Sequence, residues 1–252
     1  MNSDIGNLAY STVELERYFS QNRIRWDQFY ESERVVMERV WPGGSPEILD
    51  IGCGCGGLGL ALRERFGAER YTGNEIHAEA AASAARLNPR ARILSGDFLR
   101  LPPGSIAEAS YDLVFSLSCI DWNLSFENML ARAWAMVRPG GTFIASFRLA
   151  IDDGVNDIGK SYQYINYAGK LEGEIAPYVV LNAGDLMRRA TKLGAHRVFA
   201  YGYYGPPGKT AVTSYSELCF AAMAIGKPVG GESRELELNL PAAIADQMRA
   251  AW

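Results

Sequence analysis

The chain has 252 residues, 48% of them hydrophobic, and a formal net charge of −4. That length supports one substantial core with modest additions, so a single globular domain is expected. Lys and Arg are scattered among acids and leave no electrostatic footprint for a phosphate backbone, which argues against nucleic acid as a partner. No stretch approaches the roughly 20 uninterrupted apolar residues of a membrane span, and "MNSDIGNLAY" lacks a basic-then-apolar signal pattern. No membrane partner and a cytoplasmic location are therefore expected. The four cysteines, Cys53, Cys55, Cys119 and Cys219, form neither a disulfide framework nor the C-x-x-C pairs of structural zinc. The Cys53/Cys55 spacing falls inside a glycine loop, where small size explains it, and no metal is expected.

Residues 11–41 carry apolar positions at helical spacing, among them Trp26, Phe29, Tyr30, Val36, Met37 and Val40, and predict one or two amphipathic helices ending at the turn "PGGSP". Short apolar runs then alternate with helical segments. Strands are expected at 47–51, 69–73, 92–95, 111–117 and 141–147, with helices at 57–66, 78–87 and 124–137. That rhythm predicts parallel crossover units in a doubly wound α/β sheet. Residues 150–180, rich in Gly, Asp and Tyr, read as an excursion above the sheet. A helix at about 183–193 precedes two apolar strands, "AHRVFAYGYY" and "YSELCFAAMAIG", expected as an antiparallel hairpin at the sheet's edge. A linker-like "KPVGGES" opens the tail, whose alternating Leu236, Leu238 and Leu240 and terminal helical segment suggest docking onto the domain or a partner.

The chemistry concentrates in "ILDIGCGCGGLGLAL", residues 48–62. In an open parallel sheet, ligands bind beyond the carboxyl ends of the strands where strand order reverses, which puts the loop after the first strand at the centre. Glycines there let a ligand approach bare backbone, and the amides opening the next helix point outward. Gly52, Gly54 and Gly57 satisfy G-x-G-x-x-G, with Glu75 near the distance expected for a ribose-binding acid. Asp50 discriminates: it stands two positions before Gly52, where a nicotinamide-binding strand normally remains apolar.

"LDIGCGCG" closely resembles the first motif of class I S-adenosylmethionine-dependent methyltransferases of the small-molecule type. The resemblance continues in order through "YTGNEI" with Glu75, "SGDFLRLP" with Asp97, "YDLVFSLSCIDW" and "AMVRPGGTFIAS". It implies a mostly parallel, seven-stranded Rossmann-like sheet ending in an antiparallel edge hairpin. The implied organisation is an N-terminal helical lid over 1–44, a methyltransferase domain over 45–227 with a substrate-side insertion at 150–180, and a C-terminal extension over 228–252, a candidate dimerisation element.

S-adenosyl-L-methionine is the implied cofactor. By resemblance, Glu75 would accept both ribose hydroxyls, with Ile76 beside it. Asp97 would take the adenine amino group, and Phe98 would supply its backbone amide and an apolar wall. Asp50 would act at the amino-acid end, directly, through water or through the loop, and a purely structural acid tying down the loop competes with that role. Gly52, Cys53 and Gly54 would give close backbone contact, while Ser116 and Ser118 would pass under the methionyl end. His77, at the start of the following helix, reads as a cap or surface residue.

Methyl transfer from a sulfonium is an in-line displacement, so alignment and water exclusion supply much of the acceleration. A hydroxyl acceptor also needs its proton removed, and Asp121 is the best-placed carboxylate by sequence, with a helix N-cap or solvated turn as the alternative. Candidate acceptor contacts are Tyr18 and Trp26 in the N-terminal helices, Trp122 after the fourth strand, and Tyr164, Tyr201 and Tyr203 near the sheet's carboxyl edge. The expected acceptor is a small polar molecule such as a sugar or secondary metabolite. A nicotinamide-dependent oxidoreductase would use the same glycines but leave Asp50, "GDF" and "RPGG" unexplained. A non-catalytic cofactor-binding protein of the same fold is the third reading.

Overall fold

A computed structural model describes residue 7 and residues 14–252 except 167. The N-terminal part comprises α1 (Glu14–Gln21), a 3-10 turn (Trp26–Gln28) and α2 (Glu31–Val40). The crossover units are β1 (Glu47–Ile51), α3 (Gly57–Phe66), β2 (Arg70–Glu75), α4 (Ala78–Leu87), β3 (Arg92–Ser95), β4 (Tyr111–Ser116), α5 (Phe126–Met136) and β5 (Val137–Ala150). Then follow β6 (Tyr162–Tyr164), β7 (Ile175–Pro177), β8 (Leu181–Asn182), α6 (Ala183–Lys192), β9 (Arg197–Gly205), β10 (Ala211–Val212), β11 (Leu218–Gly226), β12 (Glu235–Asn239) and α7 (Ala242–Ala251).

The main sheet runs β12-β9-β11-β5-β4-β1-β2-β3, with β8 beside the end of β5. Strands β1 to β5 are mutually parallel where they pair. The β9/β11 hairpin is antiparallel, with β11 inserted between β5 and β9. Among the described residues the sheet has nine strands rather than the seven expected, because β8 and β12 add to that pattern. The tail supplies β12, parallel to β9 and outside the hairpin. Its Leu236, Leu238 and Leu240 pack on the main core, α7 buries Ile244 and Met248, and Arg234 stacks on Trp252 at 3.9 Å. The alternation in the tail is thus that of a half-buried edge strand of the same domain.

Successive strand residues feed opposite helix layers. Leu49, Val114, Phe143 and Phe147 face α5, α6 and α7. Ile48, Leu113, Phe115 and Ile144 face Phe29, Val36, Met37, Leu58 and Leu62. Full burial of each such side chain is worth about 1.5–3 kcal/mol, so the N-terminal α2 is fastened to the sheet by its own apolar face. The caps follow local chemistry. His77 Nδ1 accepts from the Ala80 amide, Asn182 accepts from the Asp185 amide, and Gly67 at φ +70° closes α3.

The 150–180 excursion, together with residues 211–212, forms a small antiparallel sheet, β10-β6-β7, near the carboxyl ends of the parallel strands. The reversal of strand order between β1 and β4 lies beneath it.

Candidate active site

Between the carboxyl ends of β1, β2, β4 and β5 on one side and the N-terminal segment and small sheet on the other lies a cavity of about 850 Å³. That is within the range of about 300–1,000 Å³ typical of small-molecule sites.

Its floor is the glycine loop. The amides of Gly52 and Cys53 both donate to the Asn74 carbonyl, at 2.8 and 3.0 Å. Gly52 has φ +73°, and a Cβ there would lie 2.4 Å from Cys119 Sγ. A Cβ on Gly57 would lie 2.0 Å from the Arg23 carbonyl oxygen, so the N-terminal segment is pressed against the start of α3. Glu75 clasps this loop: Oε2 accepts from the Gly54 amide at 2.8 Å and Oε1 from the His77 amide at 2.9 Å. Two amides leave a lone pair on each carboxylate oxygen available to a further donor. Burial raises the Glu75 carboxyl above its ordinary value, with the His77 and Gly54 amides opposing.

Asp50 is buried and receives the Tyr71 hydroxyl at 2.5 Å on Oδ2. Burial pushes its carboxyl up to about 7, against the pull of that hydrogen bond and of Arg23. Arg23, at φ +60°, pairs with Glu33 at 3.0 Å, and the wholly buried Glu33 also accepts from Ser146 Oγ at 2.7 Å. A chain of polar contacts thus joins the N-terminal segment to β5 beneath the cavity.

Asp121 lies in a 3-10 turn (Ile120–Trp122), and the residue that precedes α5 is Ser125, so Asp121 is not that helix's cap. It is 5% exposed, and its Oδ2 meets Arg148 Nη2 at 3.1 Å. Arg148 also donates to the carbonyls of Asp121 and Val179, and its guanidinium lies 3.8 Å from the Tyr178 ring centroid and 4.6 Å from that of Trp122. Asp121 Oδ1 is buried without a hydrogen-bond partner. Burial raises the Asp121 carboxyl, with Arg148 opposing.

Of the sequence-expected cofactor contacts, Asp50, Gly52, Cys53, Gly54, Glu75, Ile76, Phe98 and Ser118 line this cavity. Ser118 does so at φ +49°, a strained conformation for a residue with a side chain. Ser116 does not line it: it is fully buried at the end of β4. Asp97 is not in the wall, because the backbone and side-chain amides of Asn7 occupy its carboxylate. Among expected acceptor contacts, Trp122, Tyr164 and Tyr203 line the cavity. Trp26 instead packs edge-on against Phe66 at 5.2 Å, and Tyr201 donates to Glu31 outside the wall. The side chain of Tyr18 lies outside the described residues.

The sequence reading missed Tyr71, Arg148 and Tyr178. Arg148 carried a signal, a lone cation in the apolar run "FIASFRLA" that needs a buried partner. Among the described residues no group of three or more His, Cys, Asp or Glu is placed to hold a metal, and no helix is long and apolar enough to cross a membrane.

Residues 48–141 match the family described as "Methyltransferase domain". Trans-aconitate 2-methyltransferase of Delftia acidovorans is 25% identical over 183 residues, 68% of this chain and 67% of that protein. Malonyl-[acyl-carrier protein] O-methyltransferase of Enterobacter lignolyticus is 28% identical over 135 residues, 54% of this chain and 51% of that protein. The chain therefore spans about half to two thirds of these relatives. Haemonchus contortus phosphoethanolamine N-methyltransferase 2, solved with S-adenosyl-L-methionine, aligns with a TM-score of 0.56 at 13% identity, covering 88% of this chain and 61% of that one, a likeness of fold. The glycine loop lines the cavity beside Glu75, whose carboxylate has lone pairs to spare, an arrangement that suits a ribose-bearing ligand. Residues 48–141, from β1 into β5, carry the methyltransferase-domain match on this fold and this loop, and the chain is similar to the class I S-adenosylmethionine-dependent methyltransferases, whose cofactor, S-adenosylmethionine, its site suits.

Proposed function

We propose that the protein methylates an oxygen of a small polar acceptor. The observation that carries this reading is that one cavity of about 850 Å³ is lined both by Glu75 at the end of β2 and by Asp121 after β4, a volume with room for a cofactor and a small acceptor. When bound, S-adenosylmethionine supplies an electrophilic methyl group.

In this reading Glu75 takes the ribose hydroxyls and the loop from Gly52 to Gly54 lies against the methionyl end. Asp50 sets the charge there, since an ionised carboxylate held by Tyr71 favours a cationic ligand. Phe98 walls the base. Asp97 takes the adenine amino group once Asn7 yields the carboxylate it now occupies. At the acceptor end Asp121 Oδ1, with no partner of its own, takes the hydroxyl proton as the oxygen gains the methyl group. Arg148 holds the other carboxylate oxygen, fixing the orientation and opposing the burial that raises the carboxyl. Trp122, Tyr164 and Tyr203 bound the acceptor, while α1, α2 and the β10-β6-β7 sheet exclude water. The relatives named above act on trans-aconitate and, at oxygen, on malonyl-[acyl-carrier protein], which supports an oxygen acceptor.

The test is transfer of labelled methyl from S-adenosylmethionine into a pool of small hydroxylated metabolites, by wild type and Asp121→Asn. Label incorporated by wild type and lost in the variant supports the reading. Cofactor binding without transfer to any member of the pool argues for a non-catalytic cofactor-binding protein.

A further inference from the structure

The charges in the cavity wall divide between its two ends. Asp50 and Glu75 belong to the cofactor end, where Arg23 is already paired with Glu33. At the acceptor end Asp121 and Arg148 neutralise each other, and a third charge, Lys209, lines the same cavity. The lysines in ion pairs among the described residues are Lys160 and Lys170, so Lys209 has no counter-charge among them.

Lys209 is exposed but its backbone is pinned on both sides. The Gly208 amide donates to the Tyr178 hydroxyl at 3.3 Å, and the Thr210 carbonyl accepts from the Tyr164 amide at 3.0 Å. The Ala211 amide closes the turn onto the Gly208 carbonyl at 2.8 Å. Tyr178 carries the Arg148 guanidinium on its ring and Gly208 on its hydroxyl. One residue therefore fixes the position of the Lys209 turn relative to the Asp121–Arg148 pair.

Two demands on a ligand follow. A buried carboxylate oxygen without a partner calls for a hydrogen-bond donor, because leaving it unmet carries a desolvation cost. An exposed ammonium lining the same cavity, with no ion-pair partner among the described residues, favours an anion there. Resting on the methyltransferase reading above, we propose that the acceptor is a hydroxy acid, its hydroxyl on Asp121 Oδ1 and its carboxylate facing Lys209.

The full-length protein saturated with S-adenosylhomocysteine is titrated calorimetrically with two matched pairs, citrate against tricarballylate and L-malate against succinate, and with glycerol as a neutral polyol. The hydroxylated member of at least one pair is expected to bind about tenfold tighter than its deoxy partner, and glycerol not measurably. Lys209→Gln should weaken that hydroxy acid about fivefold, and Lys209→Glu further, with affinity for S-adenosylhomocysteine unchanged. If S-adenosylhomocysteine binds but no hydroxy acid does, the proposal falls and the methyltransferase reading stands. Equal binding of hydroxy and deoxy partners, glycerol binding as well as the acids, or indifference to charge reversal at Lys209 overturns it equally. Failure of S-adenosylhomocysteine itself to bind overturns both.

Discussion

The Tyr71 hydroxyl donates to Asp50 at 2.5 Å from the neighbouring strand, two buried side chains at the base of the cofactor loop. Glycine loop and acid are thereby tied to the β1/β2 pair. Tyr71→Phe leaves a buried carboxylate with one donor fewer, and the expected cost is about 1–3 kcal/mol. Urea unfolding of the two proteins measures it, and the Asp50 carboxyl should titrate higher in the variant.

The same carboxyl gives the fold a pH dependence. Burial pushes Asp50 up to about 7, whereas an unfolded Asp titrates near about 3.9. Between those values the folded state holds more protons, so this group's contribution to stability is fully present below about pH 4 and is lost as pH rises through 7. Between pH 5 and 8 the wild type should lose stability relative to Asp50→Asn, by on the order of 1–4 kcal/mol. Parallel denaturation series at several pH values would show it, and identical slopes for both proteins would refute it. A cationic ligand favours the ionised form, so cofactor binding at pH 6.5 should release a fraction of a proton, read from binding enthalpies in buffers of different ionisation enthalpy.

Gly57 tests the contact between the N-terminal segment and the loop. A methyl group there collides with the Arg23 carbonyl at 2.0 Å, whereas at Gly67 nothing lies within 4 Å. Gly57→Ala should cost about 1–3 kcal/mol by overpacking and loosen residues 14–30, seen as faster limited proteolysis there. Gly67→Ala strains only a positive φ, costs about 1 kcal/mol, and should leave that proteolysis unchanged.

Asp121→Asn keeps the shape of the turn and removes the charge. Turnover of any acceptor found should fall about 10²–10⁴-fold, the range for loss of a general base, while cofactor affinity stays near that of wild type. Arg148 then loses its buried counter-charge, at a cost of up to about 3–5 kcal/mol, so the assay temperature must lie below the variant's own melting transition. Unchanged turnover in a folded variant would remove Asp121 from the chemistry.

Much of this architecture was legible because it is periodic or glycine-bound. The crossover rhythm, the loop after β1 and Glu75 depend on short-range pattern, and helices α3 and α4 begin and end where expected. Contacts made across the fold were not legible. Trp26 and Tyr201 are aromatic and near the right edge, but packing on Phe66 and a hydrogen bond to Glu31 turn them elsewhere. Tyr71 looked like one more strand residue, and only its pairing beside β1 turns its hydroxyl onto Asp50. Glu33 sits on the apolar stripe it shares with Val36 and Met37, where a carboxylate signals a buried partner, but nothing in spacing names Arg23 and Ser146. The tail's leucine alternation fitted either the chain's own sheet or a partner's, and β9 offered the edge.

The most direct test is calorimetric titration of wild type and Glu75→Ala with S-adenosylmethionine and S-adenosylhomocysteine, with NAD(H) and NADP(H) as controls. Binding of both sulfur nucleotides by wild type, falling by at least about tenfold in the variant and absent for the nicotinamide nucleotides, is the predicted result. Binding of a nicotinamide nucleotide alone, or sulfur-nucleotide binding indifferent to Glu75, would contradict the assignment of the loop from Gly52 to Gly57 and its clasping carboxylate.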